Sequence, residues 1–299
     1  MNRSIIFAHM YISLSDGQLR QICRTHIESL EKWARVMLHH ALTGEFGPDY
    51  IHAKNPDGNY TFKKALVEKA DSMMAAEPGR FPTHLDTFYL DELIYLLTRS
   101  DVYSFLQPAI GNFYPEGINE LRTFLTRLVT IRNKLSHTNP FSLREAEQAV
   151  CYSNDFTDAA KQYFVQKNMD KEFNTPNILK ITDSLGNEYP PQEVIQAIHV
   201  TLKDPVTGQP KVFFRNDTFS VSLTMDPSFQ PSDYEIKWHA KKGVEVLDNG
   251  TKINVVIGDE LIGESTILSC NVISNNPWHR FRDHDQQLII AFKALPAPK

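Results

Sequence analysis

Hydrophobic residues recur at helical spacing through the first half of the chain and in short, partly alternating runs through the second half. From Ser15 to about Gln166, apolar positions return every three or four residues, as in helices that bury one face. Ser15–Gln18 and Ser142–Glu145 have the form of capping boxes, in which side chains satisfy free backbone N–H groups at a helix start. The pattern predicts helices at residues 15–42, 62–76, 86–98, 119–136 and 143–165.

Glycine and proline residues mark the ends of these helices. Gly44, Gly47 and Pro48 are expected to end the first helix, because both residue types interrupt helical geometry. Four further prolines fall in the predicted gaps between helices: Pro78, Pro82, Pro108 and Pro115.

Beyond Asn174 the pattern changes to that of strands. Segments rich in β-branched and aromatic residues lie at 218–224, 234–239, 252–257, 266–273 and 287–292, with turn residues between them. Residues 194–202 and 211–214 fit a further hairpin around Asp204–Pro210. Strands at this spacing predict a β-sandwich of roughly 100 residues.

The change of pattern near residue 175 predicts an α+β chain of two domains. An all-α helical bundle is expected over residues 1–168, a polar linker over 169–178 and a β-sandwich over 179–299. Trp238, before a turn, and Cys270, in a later strand, resemble core positions of immunoglobulin-like domains. The partner cysteine of a disulfide is missing, so the likeness concerns the immunoglobulin-like sandwich architecture only.

Composition narrows the class of protein. The chain has 299 residues, of which 41% are hydrophobic and 22% charged, and this argues against a disordered or fibrous chain. Phe7–Leu14 is too short for a membrane span and, with His9 inside it, disfavours a secretory signal. Cys23, Cys151 and Cys270 are widely spaced and form no CxxC pair. We therefore expect a reducing, cytoplasmic location, no membrane association and a fold without metal or cofactor.

The net charge of −5 disfavours a general nucleic-acid coat protein, since affinity for phosphate needs clustered Lys and Arg. Any RNA or DNA chemistry therefore has to be local. The segment from Arg132 to His137 is the strongest candidate for such chemistry.

Arg132 falls within the apolar arc of its predicted helix, between Leu128 and Leu135. An unpaired charge buried there is costly, so the arginine needs a partner. The plain interpretations are that its side chain reaches the edge of the core or pairs with a carboxylate. The sharper one is that the arc ends at a cleft or subunit interface where Arg132 meets an anion.

His137 is expected near the end of that helix, because Pro140 disfavours helical geometry at Asn139. A histidine at a helix end can turn back towards Arg132, so that the arginine holds a phosphodiester while His137 moves protons near neutral pH. Asn133 is placed to hold the imidazole or the phosphate. Spacing alone is weak evidence, because an Arg and a His five residues apart occur often by chance.

The segment Ile131–His137 resembles the RNxxxH form of the motif of HEPN domains, with Arg132, Asn133 and His137 at the matching positions. The order of the surrounding helices is also similar to that of the HEPN bundle, and the resemblance covers about residues 15–168. It is carried by four further features: Leu30–Trp33 in a long first helix, the break at Gly44 and Gly47, Leu85–Leu93, and Glu145–Glu147 in the last helix.

The resemblance implies a metal-independent endoribonuclease that leaves a 2′,3′-cyclic phosphate and a 5′-hydroxyl. His137 would act as general base or acid, Arg132 would stabilise charge on the phosphate, and Asn133 would orient the group. Lys134, Arg127 and Arg144 are available to bind RNA. HEPN domains usually pair, which implies a homodimer with a composite site. Toxins and antiviral defence effectors of this family cut RNA, and an antitoxin or regulatory protein is the partner that this context implies.

Two alternatives stay open. A non-catalytic HEPN and β-sandwich scaffold could bind protein partners or nucleotides, although the intact Arg, Asn and His favour the enzyme. Trp278–Asp285 holds two histidines and two carboxylates, and a polar loop between strands is favoured there over a metal site.

Overall fold

The computed structural model describes residues 14–137, 139–169, 173–189, 197–239 and 242–297, with only the backbone at Ala197. All of Phe7–Leu14 except Leu14, residues 170–172 of the predicted linker and residues 194–196 of the predicted hairpin lie outside the described residues. The chain mixes helices and strands and divides into two compact units, residues 1–170 and 171–299. No described helix has the length and apolar character needed to cross a membrane.

The described part of the first unit contains six α-helices. They are α1 (Asp16–Phe46), α2 (Lys64–Ala76), α3 (Leu90–Leu97), α4 (Ser100–Ile110), α5 (Ile118–Ser136) and α6 (Leu143–Gln166). Two 3-10 turns, Tyr50–His52 and His84–Thr87, precede α2 and α3. Both predicted capping boxes are confirmed, at the starts of α1 and α6.

The long helices α1 and α6 form the centre of this unit. They run in the same direction, because Cys23 contacts the carbonyl of Ala146 and His40 lies 2.8 Å from the hydroxyl of Tyr163. The face of α6 towards the core contains small residues that allow close packing, namely Ala146, Ala149, Ala159 and Ala160. The ring of Trp33 packs against Phe164, with centroids 6.2 Å apart. Burial of these apolar side chains is the main stabilising contribution.

Two helix predictions were wrong in detail. Pro108 was expected in a gap, but it lies inside α4. A proline near the end of a helix removes a single backbone bond, and burial of Val102, Leu106 and Ile110 on the face of α4 towards the core offsets that loss. Gly44 also lies inside α1, which continues to Phe46 and ends at Gly47, whose φ of 83° favours glycine.

The described part of the second unit contains ten strands. They are β1 (Ile178–Asp183), β2 (Glu188–Tyr189), β3 (Ala197–Thr201), β4 (Val212–Phe214), β5 (Thr218–Met225), β6 (Tyr234–Trp238), β7 (Val244–Leu247), β8 (Lys252–Val256), β9 (Gly263–Ser274) and β10 (Gln286–Leu295). β1 begins at Ile178, the last residue of the predicted linker. One sheet has the order β2-β1-β5-β8-β7, and the other has β3-β10-β9-β6, with β4 also pairing with β10.

The two sheets share a single apolar core. Alternate residues of the longer strands point into it, among them Ile181 of β1, Val221 of β5, Leu268 of β9 and Ile290 of β10, all of which are buried. In the second sheet, Trp238 of β6 lies opposite Cys270 of β9 in the strand register.

The expected hairpin of residues 194–202 and 211–214 was wrong in its pairing. β3 and β4 do not pair with each other, and both run parallel to β10, at Gln287–Ala291 and Lys293–Leu295. Only a short turn remains between them, where Lys203 bridges to Pro210. β3 and β4 therefore lie one after the other along the same edge of β10.

Candidate functional site

The last turn of α5 carries the predicted motif. The helix ends at Ser136 with His137 as its C-cap, and the backbone N–H of His137 donates to the carbonyl of Asn133 across 3.1 Å. The expectation that the helix ends close to His137 is confirmed. The motif therefore lies at a helix end, where several carbonyl groups lack partners within the helix.

Two arginines of α1 satisfy carbonyl groups at this end. Arg24 donates from Nη2 to the carbonyl of Leu135 across 2.7 Å, and Arg20 donates from Nη2 to the carbonyl of Asn139 across 2.9 Å. Positive charge at the C-terminal end of a helix is also favourable to the helix dipole. The first turns of α1 therefore fix the position of the motif.

Arg132 occupies the arc that the sequence indicated. Its neighbours on that arc, Leu128 and Leu135, are buried, whereas Arg132 itself is only half-buried because it lies in the last turns of the helix. Within the described ranges, no hydrogen bond or ion pair engages its guanidinium, although its carbonyl accepts a bond from the Ser136 hydroxyl. The cationic group is therefore available to a ligand.

Asn133 and His137 are exposed and lie on another side of the helix. Five residues separate Arg132 from His137, which turns their side chains about 140° apart around the helix axis. Asn133 and His137, four residues apart, share one side. One copy of the chain thus places Asn133 beside His137 and leaves Arg132 on a different side.

The three basic residues predicted to bind RNA differ in their surroundings. Lys134 pairs with Glu145 across 2.5 Å, and this bond is the main cause that lowers the pKa of Glu145. Arg127 donates to the hydroxyl of Tyr152 across 3.0 Å, and Arg144 is exposed. Among these three residues, only Lys134 forms an ion pair with another residue in the part of the chain that the structure describes.

Arg127 and Arg144 line the same open pocket between α5 and α6. It has a volume of about 420 Å³, and its remaining lining residues are Thr130, Ile131, Glu145 and Gln148. Arg127 and Arg132 are five residues apart, so the pocket lies on a different side of α5 from Arg132. The pocket is therefore separate from Arg132, although both belong to α5.

A cluster of two histidines and an aspartate, residue types that can ligate metals, lies elsewhere in the first unit, and the sequence patterns did not reveal it. His52, Asp71 and His84 bring their ligand atoms within 4.8 Å of one another. Hydrogen bonds that its ring nitrogens donate to Asp49 and, to a smaller extent, to Asp71 raise the pKa of His52. These residues are far apart in the sequence and belong to no local motif, so no pattern of spacing pointed to them.

The segment Trp278–Asp285 forms a loop between β9 and β10. His279 lies 3.1 Å from Asp285, and His284 lies 2.7 Å from Asp283, so the histidines engage different carboxylates. Asp285 is fully buried and accepts backbone N–H bonds from Ser274 and Arg280. This arrangement supports the interpretation as a loop joining two strands.

Comparisons with known proteins give little guidance. No protein-family model matches the chain, and no curated protein matches it. One similar solved structure is a nucleoside hydrolase-related hypothetical protein from Saccharophagus degradans that is associated with carbohydrate metabolism. The two share 12% identity, the match covers 52% of this chain and 34% of that chain, and the TM-score is 0.25. This chain thus spans about a third of that protein.

A second similar structure is the complex of titin M10 with an obscurin-like 1 Ig domain. It shares 9% identity, covers 41% of this chain and 100% of that chain, and has a TM-score of 0.18. At these TM-scores neither likeness bears on the fold or the function.

Proposed function

We propose that the chain is a metal-independent endoribonuclease of HEPN type. The observation that carries the proposal is the placement of Arg132, Asn133 and His137 at the exposed end of α5, with the guanidinium of Arg132 unengaged by the rest of the described chain. No nitrogen of the Arg132 side chain is among the described buried polar atoms without a partner, so the guanidinium is open to solvent and to an anionic ligand.

In the proposed reaction, one imidazole takes the proton of a ribose 2′-hydroxyl. The 2′-oxygen forms a bond to the adjacent phosphorus while the bond from phosphorus to the 5′-oxygen breaks. The leaving oxygen takes a proton, so that the products are a 2′,3′-cyclic phosphate and a 5′-hydroxyl. Arg132 stabilises the charge that develops on the phosphate, and Asn133 orients His137.

The proposed site is composite and needs a homodimer. Arg132 and His137 of one chain face different directions, so a second copy related by a two-fold axis would bring His137 of one protomer to Arg132 of the other. The pocket that contains Arg127 and Arg144 would hold the RNA backbone beside this site.

We also propose that the second unit is an immunoglobulin-like sandwich that recruits substrate or restrains activity. Its support is the strand order β1-β5-β8-β7 in one sheet and β10-β9-β6 in the other, together with Trp238 opposite Cys270. A cytoplasmic location belongs to the same proposal, and Cys23, Cys151 and Cys270 are all free.

The first experiment measures cleavage of total RNA and tRNA by the purified chain in excess chelator. His137→Ala and Arg132→Ala should each lower the rate at least about 100-fold, since a positioned acid or base contributes roughly that much. Thr126→Ala, at an exposed position of the same helix, should cleave like the wild type. Cleavage that survives both motif substitutions would place the activity elsewhere.

A mixing experiment tests the composite site. Arg132→Ala and His137→Ala chains are unfolded together, refolded and assayed. In a mixed dimer the intact Arg132 of one chain meets the intact His137 of the other, which should restore roughly a quarter of the wild-type rate. A mixture as inactive as its parents would refute the composite arrangement.

The second candidate is a non-catalytic scaffold for protein partners or nucleotides. The separation of Arg132 from His137 within one chain and the neutralisation of Lys134 by Glu145 favour it. Absence of cleavage in any RNA, together with equal expression toxicity of wild type and His137→Ala, would select the scaffold.

A further inference from the structure

We infer that His52, Asp71 and His84 form a binding site for a divalent transition-metal ion, with Zn²⁺ as its natural probe. Each residue comes from a different element of the first unit. His52 ends the first 3-10 turn, Asp71 lies in the middle of α2, and His84 begins the second 3-10 turn. The fold thus brings together three metal-ligand side chains that are well separated in the sequence.

The distances are close to those of a coordination sphere. The Nε2 atoms of His52 and His84 lie 3.0 and 3.2 Å from the same oxygen, Oδ1 of Asp71. In a tetrahedral zinc site with bonds of about 2.0 to 2.1 Å, neighbouring ligand atoms are about 3.3 Å apart. Two of the three separations already fit, and the two imidazoles lie edge to face with ring centroids 5.4 Å apart.

Asp49 supplies the outer support that metal-binding histidines usually have. Its Oδ1 lies 2.6 Å from Nδ1 of His52, on the side of the ring away from Asp71. A carboxylate in this position keeps the proton on Nδ1 and directs the lone pair of Nε2 at the metal. Nε2 of His52 is hydrogen-bonded to Oδ1 of Asp71 across 3.0 Å. An ion bound between these two atoms would take the place of the proton that they share.

The donor set indicates which ions suit the site. Two imidazoles and one carboxylate favour zinc and its first-row neighbours, whereas calcium and magnesium prefer oxygen ligands alone. The side chains of His52, Asp71 and His84 are 34%, 45% and 26% exposed. An ion can therefore enter from solvent, and it keeps at least one coordination position for water or a small ligand.

This site is independent of the proposed ribonuclease site. The motif lies on α5, and none of the three metal donors belongs to that helix. Binding of the ion would join the turn that follows α1, the helix α2 and the turn that precedes α3. The expected result is a first unit that unfolds at a higher temperature when the ion is bound, because binding to the folded state alone stabilises it.

The test uses tag-free full-length protein, stripped with chelator and then freed of chelator. Titration with Zn²⁺ in a calorimeter should show one ion per chain at micromolar affinity or tighter. Titration with Co²⁺ should give the visible absorption of a tetrahedral or five-coordinate N- and O-ligated ion. His84→Ala and the near-isosteric Asp71→Asn should each weaken binding at least tenfold, and Asp49→Asn should weaken it about 10- to 100-fold through loss of the outer support.

His239→Ala, at an exposed histidine of the second unit, is the matched control and should bind like the wild type. Circular dichroism checks that each variant is folded, and Asp71→Asn keeps the test open if a histidine variant unfolds. Absence of binding at a 100-fold excess of Zn²⁺ over about 1 µM protein would overturn the inference. It is equally overturned by binding that the cluster variants leave unchanged. Neither outcome changes cleavage in chelator, so this inference and the proposed function fail separately.

Discussion

The indole Nε1 of Trp238 donates a hydrogen bond to the carbonyl of Gly250 across 2.8 Å. The bond ties the end of β6 to the turn that precedes β8. Gly250 has a φ of 89°, and a Cβ atom at this position would lie 2.7 Å from the carbonyl oxygen of Ile236 and 2.8 Å from its Cβ. The close approach of β6 to the turn therefore requires glycine.

Gly250→Ala is predicted to destabilise the second unit by about 3 kcal/mol or more, since strain at positive φ adds to overpacking. Gly186→Ala is the matched control, because Gly186 also has positive φ, 96°, but open space around the added Cβ. The control should lose only about 1 to 2 kcal/mol. Urea unfolding followed by tryptophan fluorescence measures both, and equal losses would show that the contact with Ile236 is unimportant.

Arg24→Ala is predicted to loosen the end of α5. Removal of a charged donor from the carbonyl of Leu135 should lower the free energy of unfolding of the first unit by about 1.5 to 3 kcal/mol. Amide hydrogen exchange of residues 133–137 should become faster. Arg144→Ala removes an equal charge from an exposed position. If it has the same effect, net charge and not the bond to Leu135 is responsible.

Glu145→Gln is predicted to strengthen RNA binding. The substitution removes the charge that neutralises Lys134, so one more cation becomes available to phosphate. The plot of log affinity against log salt should become steeper by roughly 0.7 for single-stranded RNA. Glu147→Gln, at an exposed position two residues further along α6, is the control. A change of equal size in the control would reflect net charge alone.

Asp285→Asn is predicted to change the acid stability of the second unit. Burial raises the pKa of this carboxyl, but backbone N–H bonds from Ser274 and Arg280 and the contact with His279 outweigh burial and lower it. Because the pKa is lower in the folded than in the unfolded chain, the ionised carboxylate stabilises the fold at pH values above the unfolded pKa of about 3.9. This stabilisation is lost as the pH falls through the pKa of the folded chain.

At pH 7 the variant should therefore be less stable than the wild type, by about 1 to 3 kcal/mol for the lost charge-assisted bonds. The difference should shrink steadily below about pH 4. Glu235→Gln, at an exposed position of β6, should show no such convergence. Urea unfolding at several pH values measures the effect, and a difference that stays constant with pH would contradict it.

Local signals predicted most of the helices, and they did so where the controlling interaction is local. The capping boxes at Ser15 and Ser142 involve residues three positions apart, and both form as expected. α4 was missed because Pro108 outweighed the apolar positions around it, whereas in the folded chain packing against α6 outweighs the proline.

Interactions between distant residues were not predictable in the same way. The pairing of β3 and β4 with β10 joins residues about 80 to 90 positions apart. Alternation of side chains within a strand does not indicate which strand lies beside it. The same limit applies to the candidate sites. The motif of Arg132 and His137 could be found because it lies on one helix, but its two side chains face different directions. His52, Asp71 and His84 meet only through the tertiary fold.

The position of β10 between β3 and β9 has a consequence for synthesis of the protein on the ribosome. Every described helix of the first unit precedes residue 167, so that unit can fold while the rest is still being made. The second sheet has to wait, because Ala197 pairs with Gln287. During that interval β3 and the inner edge of β9 expose unpaired backbone groups and apolar side chains. A chaperone that binds extended apolar segments should therefore engage the nascent second unit and release it once β10 has emerged.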